Sequence, residues 1–321
     1  MSVDVLAPKP MMPMIIEGLR ASSTLHCLWE KDDPDAYLRA NAAKFQAIAT
    51  GGHIKVDGAY MSQFPNLKIV ANFGVGYDTV DAKWAGQHGI IVTNTPDVLT
   101  EEVADTALGL LIMTMRELSQ SERYLRAGKW VSEGAYPLTH NTLRGKKLGI
   151  LALGRIGKAI ATRCEAFGLT IVYHTRTEQK DVPYTYYPTL KGMAQDVDIL
   201  MSVAPGGAAT HHIINAEILE ALGPMGVLIN IGRGSVVDEQ ALIRALRDKK
   251  IFSAGLDVFD DEPNVPAELI AMDNIVLLPH VGSASHHTRN LMGQRVVDNI
   301  KAFIAGKSPV SPVAETPFKG W

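Results

Sequence analysis

Arg233, Glu262 and His280 are the residues of this 321-residue chain best suited to carry chemistry. Each follows a short apolar run. Arg233 comes after "VLINIG", Glu262 lies in "DEP" after "AGLDVFDD", and His280 ends "IVLLPH". A guanidinium binds a carboxylate through two parallel hydrogen bonds. A histidine gives or takes a proton near neutrality. A carboxylate beside it favours the imidazolium and fixes the ring. Together these groups meet the needs of hydride reduction of a 2-oxo acid: a cation to hold the carboxylate and polarise the carbonyl, and an acid to protonate the new alkoxide. Taken singly, each has a plainer use. Arg233 could cap a loop, Glu262 could be solvated ahead of Pro263, and His280 could be satisfied in a core. Their joint placement after three successive apolar runs argues for one site, because open α/β sheets bind ligands beyond the carboxyl ends of their strands.

A second stretch bears on a cofactor. In "ILALGRIGKAIA", residues 150–161, Ala152 stands where a dinucleotide turn usually has its first glycine, ahead of Gly154 and Gly157. Such a turn leaves a strand and opens a helix whose free N–H groups face a pyrophosphate. Gly154 sits where backbone approaches phosphate, and Gly157 where the helix packs on the strand. Ala152 is tolerable there if its backbone angle is ordinary, and an ordinary angle is expected. The helix runs through "GKAIATRCEAFG" to Gly168. The strand–turn–helix context and the next strand, "TIVYH", favour a nucleotide site over a bare corner.

The corner after "TIVYH" selects the cofactor. An acidic residue there would bind the ribose hydroxyls of NAD. Here His174, Thr175 and Arg176 fill it, with no carboxylate until Glu178. Arg176 can grip a 2′-phosphate with its planar fork. NADP(H) is the expected cofactor, with NAD(H) the alternative; otherwise Arg176 is a solvated loop residue. Earlier in the chain, "LKIVANFGVGYDTVD" enters the turn Gly74-Val75-Gly76. The amides of Val75 and Gly76 are expected to hold the substrate carboxylate with Arg233, as a small anion nest. The alternative is a plain tight turn.

The elements that must position these residues read as α/β. Short apolar runs alternate with longer amphipathic segments, the pattern of parallel sheets covered by helices. Five strand-like runs fill the first third: "VDVLAP", "LHCLWE", "FQAIATG", "LKIVANFG" and "GIIVTNTP". Six more follow from 147: "KLGILAL", "TIVYH", "VDILMSVA", "GVLINIG", "FSAGLDVF" and "NIVLLPH". Two domains are expected, each an open parallel sheet with helices on both faces. Residues 1–99 with 287–321 form a discontinuous substrate domain. Residues 100–286 form the larger, Rossmann-type dinucleotide-binding domain. The helix "TEEVADTALGLLIMTMREL" bridges the two, with Thr100 as its cap. Beyond Thr106 it is apolar on nearly every face, so it is buried between layers or subunits. "HHTRNLMGQRVVDNIKAFIAG" is one long helix returning to the first domain, and the Pro-rich tail is at most extended.

Bulk properties narrow the class. Lys and Arg number 31 against 34 Asp and Glu, a net charge of −3, and no basic stripe supports nucleic-acid binding. Two cysteines, Cys27 and Cys164, have no metal or redox spacing, so a reducing compartment is expected. No signal pattern or membrane span is read, and the cytoplasm is the expected location.

"NFGVGYDTVD", "LALGRIGKAIA", "NIGRGSVVDEQAL", "GLDVFDDEP" and "LLPHVGSAS" appear in this order. With these motifs the chain resembles the D-isomer-specific 2-hydroxyacid dehydrogenases over essentially its whole length. The resemblance implies two domains around a deep cleft, a homodimer and a catalytic Arg–Glu–His set at Arg233, Glu262 and His280. It adds Ser283 to the substrate contacts. It extends the cofactor contacts to Thr106, Leu153, Gly154, Arg155, Ile156, Gly157, His174, Thr175, Arg176, Ala204, Pro205, Thr210, Ile231, Gly232, Arg233, Asp257, His280 and Gly282. The non-acidic corner is similar to that of NADPH-preferring glyoxylate/hydroxypyruvate reductases. Hydroxyphenylpyruvate and 2-ketogluconate reductases are alternatives, as is oxidation of a D-hydroxy acid in the reverse direction. A dinucleotide-sensing corepressor is a further alternative, disfavoured by the short ends. Trp130, in "GKWVSEGAYPL", is expected in a loop, either as simple packing or as a wall of the neighbouring subunit's pocket.

Overall fold

A computed structural model of the protein describes residues 3–52 and 54–321. The chain divides into two compact units. The first joins Met1–Leu99 to Ser285–Trp321; the second is Thr100–Ala284.

Strand residues that point alternately up and down build the first unit. Its strands are β1 (Asp4–Ala7), β2 (Thr24–Cys27), β3 (Phe45–Gly51), β4 (Ile69–Phe73) and β5 (Ile91–Thr93). They form one parallel sheet in the order β2-β1-β3-β4-β5. Val5, Ala47, Ala49, Ile69, Ala71 and Ile91 pack on one face against Ile15 and Leu19 of helix Pro13–Arg20 and Val296 and Ile300 of helix His286–Ile304. Their neighbours Leu6, Ile48, Val70 and Val92 face the opposite core with Met61, Phe64 and Ala85. A parallel sheet buried on both faces requires such apolar runs. The run "LHCLWE" is strand only as far as Cys27. Leu28–Glu30 turn away as one 3₁₀ turn.

The helix His286–Ile304 starts where Ser285 accepts a hydrogen bond from the Thr288 amide at 3.2 Å. The second segment of the first unit therefore begins at the cap itself, two residues before position 287. After the helix the tail returns along the sheet edge. Val313 N–H donates to the Val92 carbonyl at 2.9 Å, and Thr93 and Pro312 form an antiparallel bridge.

The second unit holds β6 (Lys147–Leu151), β7 (Thr170–His174), β8 (Thr185–Tyr186), β9 (Ile199–Ser202), β10 (Val227–Asn230), β11 (Ser253–Leu256) and β12 (Ile275–Leu277). All pair in parallel, in the order β12-β11-β10-β9-β6-β7-β8. The sheet has seven strands where the apolar runs gave six. The extra one, β8, is two residues long at an edge, and "TY" ahead of Tyr187 and Pro188 has no apolar run to mark it. From β6 the chain builds outward through β7 and β8, then crosses back to β9 and builds the other way. That reversal leaves a crevice at the carboxyl end of β6, the usual ligand position in such sheets.

Helix Thr100–Met115 packs on helix Arg155–Ala166 and on β10, β11 and β12. Val103, Ala104, Ala107, Leu110 and Leu111 are buried along it. Thr100 is its first helical residue rather than its cap, because the turn Val98–Leu99 leads directly into the helix. Glu101 and Glu102 still suit the positive end of the first turn. Trp130 is in a short helix, Lys129–Ser132, not a loop, and its side chain is 63% exposed. Among the described residues no helix is long and apolar enough to cross a membrane.

Candidate active site

Strands β10, β11 and β12 lie side by side, so whatever follows them gathers at one edge of the second unit. Arg233 follows β10, Glu262 follows β11 and His280 follows β12. The Nδ1 of His280 is 2.6 Å from Oε2 of Glu262. The other Glu262 oxygen accepts the Phe259 amide at 3.0 Å. Glu262 is thus aimed before the histidine meets it, and its side chain is only 11% exposed. The imidazole is 44% exposed. With Nδ1 committed to the carboxylate, Nε2 is the ring atom left to exchange a proton with a ligand.

The loop carrying His280 is held by Asp257. The Asp257 main-chain carbonyl accepts the His280 amide at 2.9 Å. Its carboxylate oxygens accept the Val281 amide at 2.7 Å and the Gly282 amide at 2.9 Å. Burial pushes this carboxyl above its usual range, and the two amides pull it back. The brace matters because His280 has a φ of 54°, a left-handed conformation that costs a non-glycine residue about 1–3 kcal/mol.

Arg233 is held in a comparable way. The buried Asn230 donates to the Arg233 carbonyl at 2.9 Å and accepts the Gly232 amide at 3.2 Å. The guanidinium donates to the Gly232 carbonyl at 2.8 Å. Gly234 then lies against the backbone of Phe259 and Asp260, so the Arg233 loop and the Glu262 loop touch. Neither Asn230, Gly234 nor the bracing role of Asp257 emerges from a search for reactive groups. Their signal is a polar residue ending an apolar strand, or a glycine beside a charge.

The glycine turn of the second unit fits a dinucleotide phosphate. Gly154 immediately precedes helix Arg155–Ala166, and a β-carbon there would meet nothing within 4 Å. Space therefore stands over the free amides of the helix start, where an anion is stabilised. A β-carbon on Gly157 would come within 2.7 Å of the Ala152 carbonyl, so only glycine lets the helix lie this close to the strand. The expectation of an ordinary angle at Ala152 is overturned: its φ is 74°. The reason is the turn itself. Ala152 N–H still donates to the His174 carbonyl at 3.0 Å, as a strand residue would. Its own carbonyl must then swing round to accept the Gly154 amide at 3.0 Å. The left-handed angle accomplishes this reversal in one residue.

Around the turn, Gln179 donates to the Leu153 carbonyl at 2.8 Å, tying the next loop to it. His174 Nδ1 donates to the Tyr187 carbonyl at 2.8 Å, and Thr175 donates to the Thr177 carbonyl at 2.6 Å. Arg176 is exposed. Arg155 is exposed and Ile156 half-buried. Leu153, Ala204 and Ile231 are buried, so their side chains belong to the core and only their main chains can face a ligand. Thr210 donates to the Pro205 carbonyl at 2.6 Å and closes that loop. Thr106 Oγ1 reaches the Gly282 carbonyl at 3.4 Å, and Ser283 is buried beside it in sequence.

In the first unit, Val75 and Gly76 form the turn after β4. Among the described residues their N–H groups donate to no acceptor.

These features agree with what sequence comparison finds. Residues 108–282 match the family described as D-isomer specific 2-hydroxyacid dehydrogenase, NAD binding domain. The chain belongs to the D-isomer-specific 2-hydroxyacid dehydrogenases. The dehydrogenase is 45% identical over 312 residues to glyoxylate/hydroxypyruvate reductase A of Arabidopsis thaliana, covering 97% of this chain and 99% of the relative. It is 41% identical to hydroxyphenylpyruvate reductase of Plectranthus scutellarioides over the same shares. Among solved structures, the NADPH-dependent glyoxylate/hydroxypyruvate reductase of Sinorhizobium meliloti, in complex with NADP and malonate, superposes with a TM-score of 0.94. It is 52% identical and the match covers 99% of this chain and 98% of that one. The dehydrogenase is therefore an NAD(P)-dependent oxidoreductase of the two-domain α/β class.

Proposed function

We propose that this dehydrogenase reduces glyoxylate or hydroxypyruvate with NADPH. The observation that carries the reading is the His280–Glu262 contact at 2.6 Å, which leaves Nε2 as the proton-bearing end of an oriented imidazole. A bound nicotinamide supplies the hydride to C2 of the substrate. The guanidinium of Arg233 holds the substrate carboxylate and stabilises charge growing on the carbonyl oxygen. His280 Nε2 delivers a proton to that oxygen, giving the 2-hydroxy acid, while Glu262 keeps the ring in register. The amides of Val75 and Gly76 are assigned to the same carboxylate, and Ser283 to the main chain beside it. Arg176 is assigned to the 2′-phosphate of NADPH. In support, it is exposed and has no ion pair among the described residues.

NADPH oxidation against glyoxylate, hydroxypyruvate, pyruvate, phenylpyruvate and 2-ketogluconate tests the reading. The highest kcat/KM is expected for hydroxypyruvate or glyoxylate. A preference for the aromatic acid would instead favour the activity named for the Plectranthus relative.

A homodimer belongs to the same proposal. Leu118, Leu125, Trp130, Val131 and Leu138 are exposed within one segment, and Val131 and Leu138 are 96% exposed. Apolar groups clustered in this way are usually covered by a partner. Sedimentation should give twice the chain mass, and Trp130→Ala should shift it toward the monomer. The cytoplasmic assignment is supported by Cys27 and Cys164, both buried and free. Cell fractionation tests it.

A further inference from the structure

We infer that Asn94 is a positioning residue, locked by the C-terminal segment, that aims the Val75 and Gly76 N–H groups at the substrate carboxylate. The inference rests on the proposed reading of that turn and adds the groups that set its geometry.

A peptide unit is planar and trans, so fixing a carbonyl fixes the next residue's N–H in the opposite direction. The Val75 carbonyl accepts from Asn94 Nδ2 at 2.8 Å. That one bond sets the Gly76 N–H. The Gly74 carbonyl accepts the Thr95 amide at 2.9 Å and Asn72 Nδ2 at 3.3 Å. Those bonds set the Val75 N–H. Asn72 Nδ2 also reaches the Gly76 carbonyl at 3.0 Å. The carbonyls of the turn are thus all drawn inward by buried or half-buried amides. Two N–H groups are left without acceptors, the arrangement of an anion nest. A self-contained turn would bond the Gly74 carbonyl to the residue three further on; here it goes to Thr95.

Asn94 is itself held from the far end of the chain. Its N–H donates to the Ser311 carbonyl at 3.3 Å, and its carbonyl accepts from Ser311 Oγ at 2.7 Å. Asn299 Nδ2 donates to Ser311 Oγ at 3.0 Å, and Asn299 Oδ1 accepts the Ser311 amide at 3.1 Å. Asn299 and Ser311 are both buried, at 1% and 7% exposure. Burying this many polar groups costs free energy unless each is bonded. The relay Asn299–Ser311–Asn94 satisfies them and ends on the Val75 carbonyl.

Asn94→Ala and Ser311→Ala test the inference. Steady-state rates with hydroxypyruvate, NADPH dissociation constants and thermal unfolding are measured for each. Separately, ¹⁵N amide signals of Val75 and Gly76 are followed as oxalate is added. Carboxylate binding is shared by ground and transition states, so its loss raises KM and leaves kcat. Asn94→Ala should raise KM about tenfold or more with kcat changed by less than about threefold. The NADPH dissociation constant should not move, and the oxalate response at Val75 and Gly76 should disappear. Ser311→Ala should move KM in the same direction by less, and it keeps the question open to measurement if Asn94→Ala does not fold. An unchanged KM, or KM, kcat and NADPH affinity falling together with stability, overturns the inference. If wild type reduces no 2-oxo acid, the proposed function fails. The oxalate titration then decides the nest alone: no wild-type response at these two amides overturns it.

Discussion

A β-carbon placed on Gly234 would stand 1.8 Å from the carbonyl carbon of Phe259. The neighbour is backbone, so it cannot rotate aside. The loop that presents Arg233 and the loop that presents Glu262 are therefore fitted to each other at a residue with no side chain. Gly234→Ala should lower stability by about 3 kcal/mol, the upper range for overpacking. Urea unfolding measures that, and kcat should fall with it because both loops must part.

Substitutions at the reacting groups should act on turnover without such a loss. His280→Gln is expected to reduce kcat by about 10²–10⁴-fold, the usual contribution of a positioned acid. Arg233→Lys should also be damaging, since an ammonium cannot reproduce a planar fork. Stopped-flow reduction of hydroxypyruvate at saturating NADPH checks both. Full activity in either variant removes that residue from its role.

Cofactor choice should turn on Arg176. Arg176→Asp places a carboxylate where the 2′-phosphate is assigned. KM for NADPH should rise by about tenfold or more, as expected for losing a charge-assisted pair. KM for NADH should change little or fall. Equal effects on both cofactors would refute the assignment.

The strained corner at Ala152 invites the reverse substitution. A left-handed alanine costs about 1–2 kcal/mol. A glycine loosens the unfolded chain by about 0.4–1 kcal/mol. Ala152→Gly should therefore raise stability by about 0.5 kcal/mol, visible as a higher urea midpoint. NADPH affinity should be unchanged.

Asp257 gives a pH dependence with a definite sign. Burial raises its carboxyl above the ordinary value of 3.8. The unfolded chain then loses this proton at lower pH than the folded one. The contribution to stability is whole below 3.8 and declines as pH rises from there through the raised folded value. Asp257→Asn lacks this titration. The stability of wild type relative to the variant should fall as pH rises across that window and level off above it. Parallel urea midpoints across the window would contradict this.

Much of the architecture could be read from the sequence because parallel strands are buried on both faces and appear as apolar runs. "FQAIATG" and "TIVYH" are strands over their whole length. β8 escaped because two residues carry no periodicity. Arg233, Glu262 and His280 were visible because charge after an apolar run is unusual. The backbone angle at Ala152 was not visible. It follows from a carbonyl that must meet Gly154, a contact three-dimensional closure alone creates. Asn94 and Ser311 were hidden for a related reason, since 217 positions separate the two ends of their bond.

The first unit is split along the chain, and the second is one continuous stretch. During synthesis the N-terminal sheet leaves the ribosome without the helix that covers one of its faces. The strand edge at β5 also waits, unpaired, until the final residues emerge. The second unit has all of its own sequence earlier and can fold first. Newly made chains thus pass through an interval in which an uncovered parallel sheet is exposed to aggregation and to chaperones. Stalling translation near residue 284 should lengthen that interval.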